Sequence, residues 1–228
     1  MVSKTNEQAL EASIEKYLTG TCLEQLTAIR DSAGELHVGP NHGYQLGRTQ
    51  DFNARYAVDS RCLWQFLQDS QGDELERLKQ RYADWDLRIL ERFDRLAKKY
   101  GVLHLLKRGL AIDDVHLNLM YPAPLASSSA RVKQQFAANI FSSTRQVRYS
   151  LSNPLEEIDL VLFINGLPVS TLELKSEFKQ TVQNAITQYK KTRLPKDPDT
   201  NKPEPLLTFK RGALVHFAVS QYEVYMTT

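Results

Sequence analysis

One stretch constrains the fold more than any other: IDLVLFINGLPVSTLELKSE, from Ile158 to Glu177. Apolar residues alternate on both sides of Asn165-Gly166, the dipeptide favoured where both central residues of a hairpin turn take positive φ. The segment therefore reads as two antiparallel strands with one face buried. Leu160, Leu162, Leu172 and Leu174 call for strong burial, yet Asp159, Glu173 and Lys175 lie within the same strands. Unpaired charge at such positions is costly.

What these charges can do together depends on register, because a slip of one residue turns every side chain to the other face. A two-residue Asn165-Gly166 loop sets Asp159 opposite Leu172 and puts Glu173 on the other face. A three-residue loop, Ile164-Asn165-Gly166, shifts the pairing by one, so that Asp159 faces Thr171 with Glu173 diagonal on the same side. A shared site requires that offset or an equivalent bulge.

On a shared face, two carboxylates beside an ammonium form a compact site for a hard cation such as Mg²⁺, which takes few protein carboxylates and keeps waters for substrate phosphates. The lysine can orient a water or stabilise charge on the phosphate. The competing reading is an inter-strand salt bridge between Lys175 and either acid. Sequence physics leaves both open.

Elsewhere the pattern predicts helices around a sheet. Thr5 and Gln8 form a capping-box pair at the start of a first helix, with an apolar stripe of Leu10, Ile14, Tyr17 and Leu18. Glu7 falls in that stripe and is read as complementing the helix dipole; Glu11, a turn deeper on its edge, is ambiguous. Residues 32–47, rich in glycine, read as loop. A short helix runs through Leu63, Trp64 and Phe66, and a long one from Asp73 to Tyr100, ended by Gly101. VHLNLMYPAP is read as a strand ending at Pro122. A short helix follows in LASSSARVKQQFAANIF, and TRQVRYS is another strand. After Glu177 a helix carries Phe178, Val182, Ala185, Ile186 and Tyr189 on one face. ALVHFAV and EVYMTT are the last strands. The sum is an α/β (α+β) domain, helices on a mixed sheet of four or five strands. We expect a single domain over 1–228 with a helical insertion at about 55–110. Its strand-like end is expected to mark a fragment of a longer protein.

Several function classes are excluded or unsupported. No apolar run approaches the ~20 residues of a membrane span, and the polar N-terminus MVSKTNEQALE is expected to be helix rather than a signal peptide. The two cysteines, Cys22 and Cys62, suit a reducing cytoplasm and are expected as small buried residues. The five histidines have no metal-ligand spacing. A net charge of +2 neither demands nor excludes nucleic acid. Basic residues do cluster late in the chain, at Lys179, Lys190, Lys191, Arg193, Lys196, Lys202, Lys210 and Arg211. They suit phosphate contacts, while Asp197, Asp199 and Glu204 among them suit a solvated loop.

The run from Ile158 to Thr228, and INGLP…LELK above all, closely resembles the N-terminal nuclease domain of type I restriction-modification R (HsdR) subunits. Those subunits belong to the PD-(D/E)xK nuclease superfamily. Weaker similarity extends back through GYQLGRTQDFNARYAVDSRCLWQFLQ to ALEASIEKYL. The resemblance implies a restriction-endonuclease-like mixed central sheet flanked by helices, with an additional helical segment inserted N-terminally. It implies a Mg²⁺-dependent endonuclease acting on double-stranded DNA in the cytoplasm, alongside modification and specificity subunits. Asp159 and Glu173 would hold the metal, with the Leu174 carbonyl as a backbone ligand, and Lys175 would be catalytic. Glu11 matches an acid of the family's first helix that approaches the metal. Many members carry Gln-x-x-x-Tyr on the helix after the lysine; here Tyr189 is present but Ala185 takes the Gln position. Gln183, Gln188 and Tyr189 are then candidate DNA contacts, with Lys179, Lys190 and Arg193. ATP is expected only for motor domains outside this chain, which has no Gly-x-x-x-x-Gly-Lys-Ser/Thr loop. Two alternatives stand: a silent DNA- or subunit-docking module of the same fold, and another PD-(D/E)xK nuclease of DNA repair or junctions.

Overall fold

The computed structural model describes the backbone of residues 2–32, 42–176 and 181–228, and the side chains of these from Glu7 to Thr27 and from His42 onward. The chain begins with helices α1 (Val2–Thr19) and α2 (Leu23–Ser32), followed by strands β1 (Tyr44–Leu46), β2 (Phe52–Asn53) and β3 (Val58–Asp59). A helical lobe comes next: α3 (Ser60–Arg81), α4 (Trp85–Tyr100) and α5 (Val102–Arg108), then the small hairpin β4 (Leu110–Ile112) and β5 (Val115–Leu117). Helix α6 (Ala130–Ala137) leads into β6 (Phe141–Arg148), β7 (Glu157–Ile164) and β8 (Leu167–Leu174). Helix α7 (Val182–Lys191) and strands β9 (Val215–Val219) and β10 (Val224–Thr227) complete it.

Six strands form one mixed sheet in the order β1-β6-β7-β8-β9-β10. The β1/β6 and β8/β9 pairs are parallel and the others antiparallel. Helix α1 packs on β1, β6 and the end of β8, and α7 packs on β8, β9 and β10. The architecture is a mixed α/β fold consistent with a restriction-endonuclease-like core. Among the described residues no helix is long and apolar enough to cross a membrane. Cys22 and Cys62 are both free and buried.

Several sequence expectations are corrected. The sheet has six strands rather than four or five, because Tyr44–Leu46, inside the glycine-rich stretch read as loop, pairs with Phe141–Ser143. Three residues are too few for alternation to register. Helix α1 starts at Val2, so Thr5 lies inside it and is not its cap. Its stripe is also different: Tyr17 is exposed and stacks on His42, while Glu11 and Glu15 are buried. The long helix is two. Tyr82 is extended (φ −134°, ψ 121°), and Asp84 precedes the first turn of α4 with Asp86 inside it. Acids at a helix start complement its dipole, so YADWD carries a restart signal that the apolar periodicity masks. The segment VHLNLMYPAP forms a strand over Val115–Leu117 only.

The Asn165-Gly166 turn is a two-residue one, with φ of 52° and 78° and Ile164 paired with Leu167. The pairing then slips: Phe163 faces Pro168, but Leu162 faces Ser170, leaving Val169 as an extra residue. Proline has no N–H to give a ladder and is at home at a bulge. The turn itself is buried. Asn165 Oδ1 accepts from the Ile140 N–H at 2.7 Å, and its Nδ2 donates to the Leu119 carbonyl at 2.9 Å. Gly166 lies against the start of α3, where the Asp59 N–H donates to its carbonyl at 2.8 Å. A Cβ on Gly166 would stand 2.3 Å from the Asp59 carbonyl oxygen and 2.8 Å from the Leu63 nitrogen. Neither backbone group can step aside.

Gly166→Ala combines a left-handed backbone with that clash and is expected to cost on the order of 3 kcal/mol in urea-unfolding free energy. A loss under about 1 kcal/mol would mean that the tip does not lock the hairpin to α3.

Candidate active site

The bulge decides which charges meet. Past it, Leu160 pairs with Leu172, the last pair of the ladder, and just beyond that pair the Asp159 and Glu173 carboxylates lie within electrostatic reach of each other. Neither loop considered from sequence gives this pairing; a two-residue turn with a bulge does. Asp159 Oδ2 accepts from the Leu174 N–H at 2.7 Å. Glu173 is fully buried, and its Oε1 accepts from Arg193 Nε at 2.7 Å. Its Oε2 is buried with no hydrogen-bond donor directed at it. Lys175, also buried, lies with its Nζ 3.8 Å from Glu7 Oε1 on α1.

Burial and the neighbouring Asp159 push the Glu173 carboxyl up to about 7, and burial raises Asp159 as well. Arg193 and Lys175 oppose both shifts. Two carboxylates thus meet with two cations nearby, and burial outweighs the cations, holding both carboxyls above their ordinary range.

Helix α1 supplies a second acidic layer. Glu7, Glu11 and Glu15 recur every four residues and share one face, and that face is the inner one. Arg145 on β6 is buried among them, donating to Glu11 Oε2 (2.9 Å), Glu15 Oε2 (3.4 Å) and Glu24 Oε1 (2.8 Å). Gln146 Nε2 donates to the other Glu11 oxygen at 2.8 Å. Desolvation still holds Glu11 and Glu15 above the usual carboxylate range. Asp159 adds to the shift at Glu11, which puts the helix acid within electrostatic reach of the hairpin pair.

The residues of α7 divide. Ala185 is wholly buried against Ala218 of β9, together with Val182. Gln183 and Lys190 are exposed. Gln188 is half-buried, with its Oε1 unpartnered. Tyr189 is tied to the sheet: its hydroxyl meets Thr171 Oγ1 at 2.8 Å, which in turn meets His216 Nδ1 at 2.7 Å. Burial raises the Tyr189 hydroxyl and lowers the His216 imidazole. Arg193 is turned inward to Glu173, with its guanidinium 5.9 Å from the Tyr149 ring centre. Arg211, counted with the surface cations from sequence, is instead buried and paired with Asp94. Lys179 lies outside the described residues.

Sequence reasoning missed Arg145, Gln146 and Glu15, and it missed the ion pair of Arg193. The four-residue spacing of Glu7, Glu11 and Glu15 was the available signal for a single acidic face on α1. Nothing local marks Arg145 as their partner, 130 and 134 residues away from Glu15 and Glu11.

Among the described residues, no group of three or more His, Cys, Asp or Glu is placed to hold a metal ion. The Asp159–Glu173 pair offers two hard oxygen donors, one of them the unpartnered Glu173 Oε2. That set fits Mg²⁺, which binds through one or two carboxylates and retains water. A family model for the type I restriction enzyme R protein N terminus matches residues 40–228. No curated protein and no solved structure matches the chain.

The raised Glu173 carboxyl gives a signed pH effect. With its folded value at about 7 against 4.5 unperturbed, its contribution is fully present below about 4.5 and is lost as pH rises through about 7. In metal-free urea melts, Glu173→Gln should gain on the wild type from about pH 5 to about pH 8; a pH-independent difference would contradict the shift. Removing Arg145 leaves buried glutamates unpaired, so Arg145→Ala is expected to cost about 3–5 kcal/mol. Part of that cost should return in a Glu11→Gln, Glu15→Gln background, and strict additivity would show that no coupling exists.

Proposed function

The chain belongs to the type I restriction enzyme R protein N-terminal family, and from that premise we propose that it is the subunit's Mg²⁺-dependent DNA endonuclease domain. In this reading it hydrolyses phosphodiester bonds of unmodified foreign DNA. The observation that carries the proposal is the meeting of the Asp159 and Glu173 carboxyls past the bulge, with Lys175 buried two residues on.

Asp159 and Glu173 would hold Mg²⁺, with the Leu174 carbonyl as a further ligand. When bound, the ion supplies Lewis-acid polarisation of the phosphodiester and a more acidic water. The protein's own groups do the rest. The Leu174 N–H orients Asp159 by its hydrogen bond to Oδ2. Arg193 fixes one Glu173 oxygen and leaves the other free of donors. Lys175, held near Glu7, brings a cation that orients an attacking water or balances charge on the phosphate. Glu11 stands behind Asp159 as an outer carboxylate, both its oxygens engaged by Arg145 and Gln146.

In the assembled enzyme the partners would be double-stranded DNA and the modification and specificity subunits, in the cytoplasm. Exposed Gln183 and Lys190 on α7 are candidate DNA contacts, with Gln188 and Tyr189 behind them. ATP use would belong to motor domains, since this chain has no phosphate-binding loop. The ion pair of Glu173 with Arg193 specifically favours a second reading, a silent docking module in which the acids are structural.

Cleavage of unmodified plasmid by the restriction complex separates the two. Asp159→Ala, Glu173→Ala and Lys175→Ala should each lower the Mg²⁺-dependent rate by at least about a hundredfold with the complex still assembled. Cleavage that survives all three substitutions would sink the assigned site and leave docking.

A further inference from the structure

Gln146 stands out for its backbone. Among the described non-glycine residues with positive φ, it is the one inside a strand, at 53°; Ala57, Asp113, Asn165, Asn201 and Lys210 all lie in turns or loops. A left-handed, non-glycine residue in mid-strand is strained, and such strain persists only where the surroundings impose it.

The strain has a local geometric result. Arg145 pairs with Leu160 and Val147 with Ile158, but the rung between them, Gln146 with Asp159, is missing from the ladder. Alternation fails at that point on both strands. Arg145 and Gln146, consecutive residues that a regular strand would send to opposite faces, both donate to Glu11. On β7, Ile158 and Val161, also of opposite parity, enter the same apolar cluster with Val147. The freed peptide is supported from outside the sheet, where Thr49 Oγ1 donates to the Arg145 carbonyl at 2.8 Å. Opposite this break, the Asp159 carboxylate reaches across to the Leu174 N–H on the next strand.

We infer that Gln146 is a positioning residue for the nuclease site: its left-handed backbone opens the β6–β7 ladder at Asp159, and its amide holds Glu11 behind it. The two effects together fix where the Asp159 carboxylate stands relative to Glu173. The inference rests on the metal-site reading above, and its test keeps the two separable.

The test uses the whole chain, with Mn²⁺ as the calorimetric probe and metal-free hydrogen exchange of the Leu174 amide as the second readout. Gln146→Gly accepts the left-handed backbone but removes the amide, and Arg145 still holds Glu11. Gln146→Val disfavours positive φ and drives the strand back to regular pairing. Mn²⁺ affinity should fall about tenfold in the glycine variant, the loss typical of a group that orients a metal ligand, and further in the valine variant. Leu174 exchange should quicken in the same order in both folded proteins. Wild-type Mn²⁺ affinity together with unchanged Leu174 exchange in both variants would overturn the inference. If wild type and Asp159→Asn bind Mn²⁺ equally poorly, the metal reading fails instead. The role of Gln146 is then judged on Leu174 exchange alone, where no change in either variant refutes it.

Discussion

A strand turns over all of its side chains when its pairing slips by one residue, so the chemistry at one end of β8 is decided at the other. The tight Asn165-Gly166 turn on its own would set Asp159 and Glu173 on opposite faces. The extra Val169 resets the register to Leu160 opposite Leu172, and the two acids meet just past that pair. Everything assembled around them follows from that register. Arg193 reaches Glu173 and Lys175 reaches Glu7 because the acids stand where the bulge puts them. The turn cannot relax to another register, since Asn165 is bonded into the 119–140 segment and Gly166 is wedged on α3. The helical lobe, remote from the acids in function, is thus the anchor of their alignment.

A second constraint is that buried charge must find opposite charge. Helix α1 turns an acidic face inward, and Arg145 is the cation that makes this tolerable. At the hairpin end the compensation is incomplete. Arg193 engages one Glu173 oxygen, and the other stays without a donor. A fold that only needed stability would do better with apolar residues there. In the proposed activity a divalent cation would take up that open oxygen.

Much of this was legible in the sequence, for identifiable reasons. The hairpin, its Asn-Gly turn and the trio Asp159, Glu173 and Lys175 could be read because strand alternation and turn chemistry are local. The requirement for an offset was also legible, but its source was not. Pro168 was the cue, a residue without an N–H inside a strand, one position before the bulge. The break at Tyr82 was hidden because apolar periodicity continues across it from Leu78 to Ile89. Strand β1 was hidden by its length. The role of Arg145 and the strained Gln146 could not be read at all, because each is defined by partners far along the chain. Charge on α1 was visible; which way it faced was a tertiary fact.

The separation between Glu11 and Arg145 has a temporal side. The glutamate precedes its arginine by 134 residues, which at ribosomal speeds is on the order of ten seconds of synthesis. Through that interval Glu11 and Glu15 have no Arg145 to pair with, and water alone can solvate them. The packing of α1 on β6 therefore spans more than half of the chain, and its acidic layer cannot be completed before Arg145 has been made.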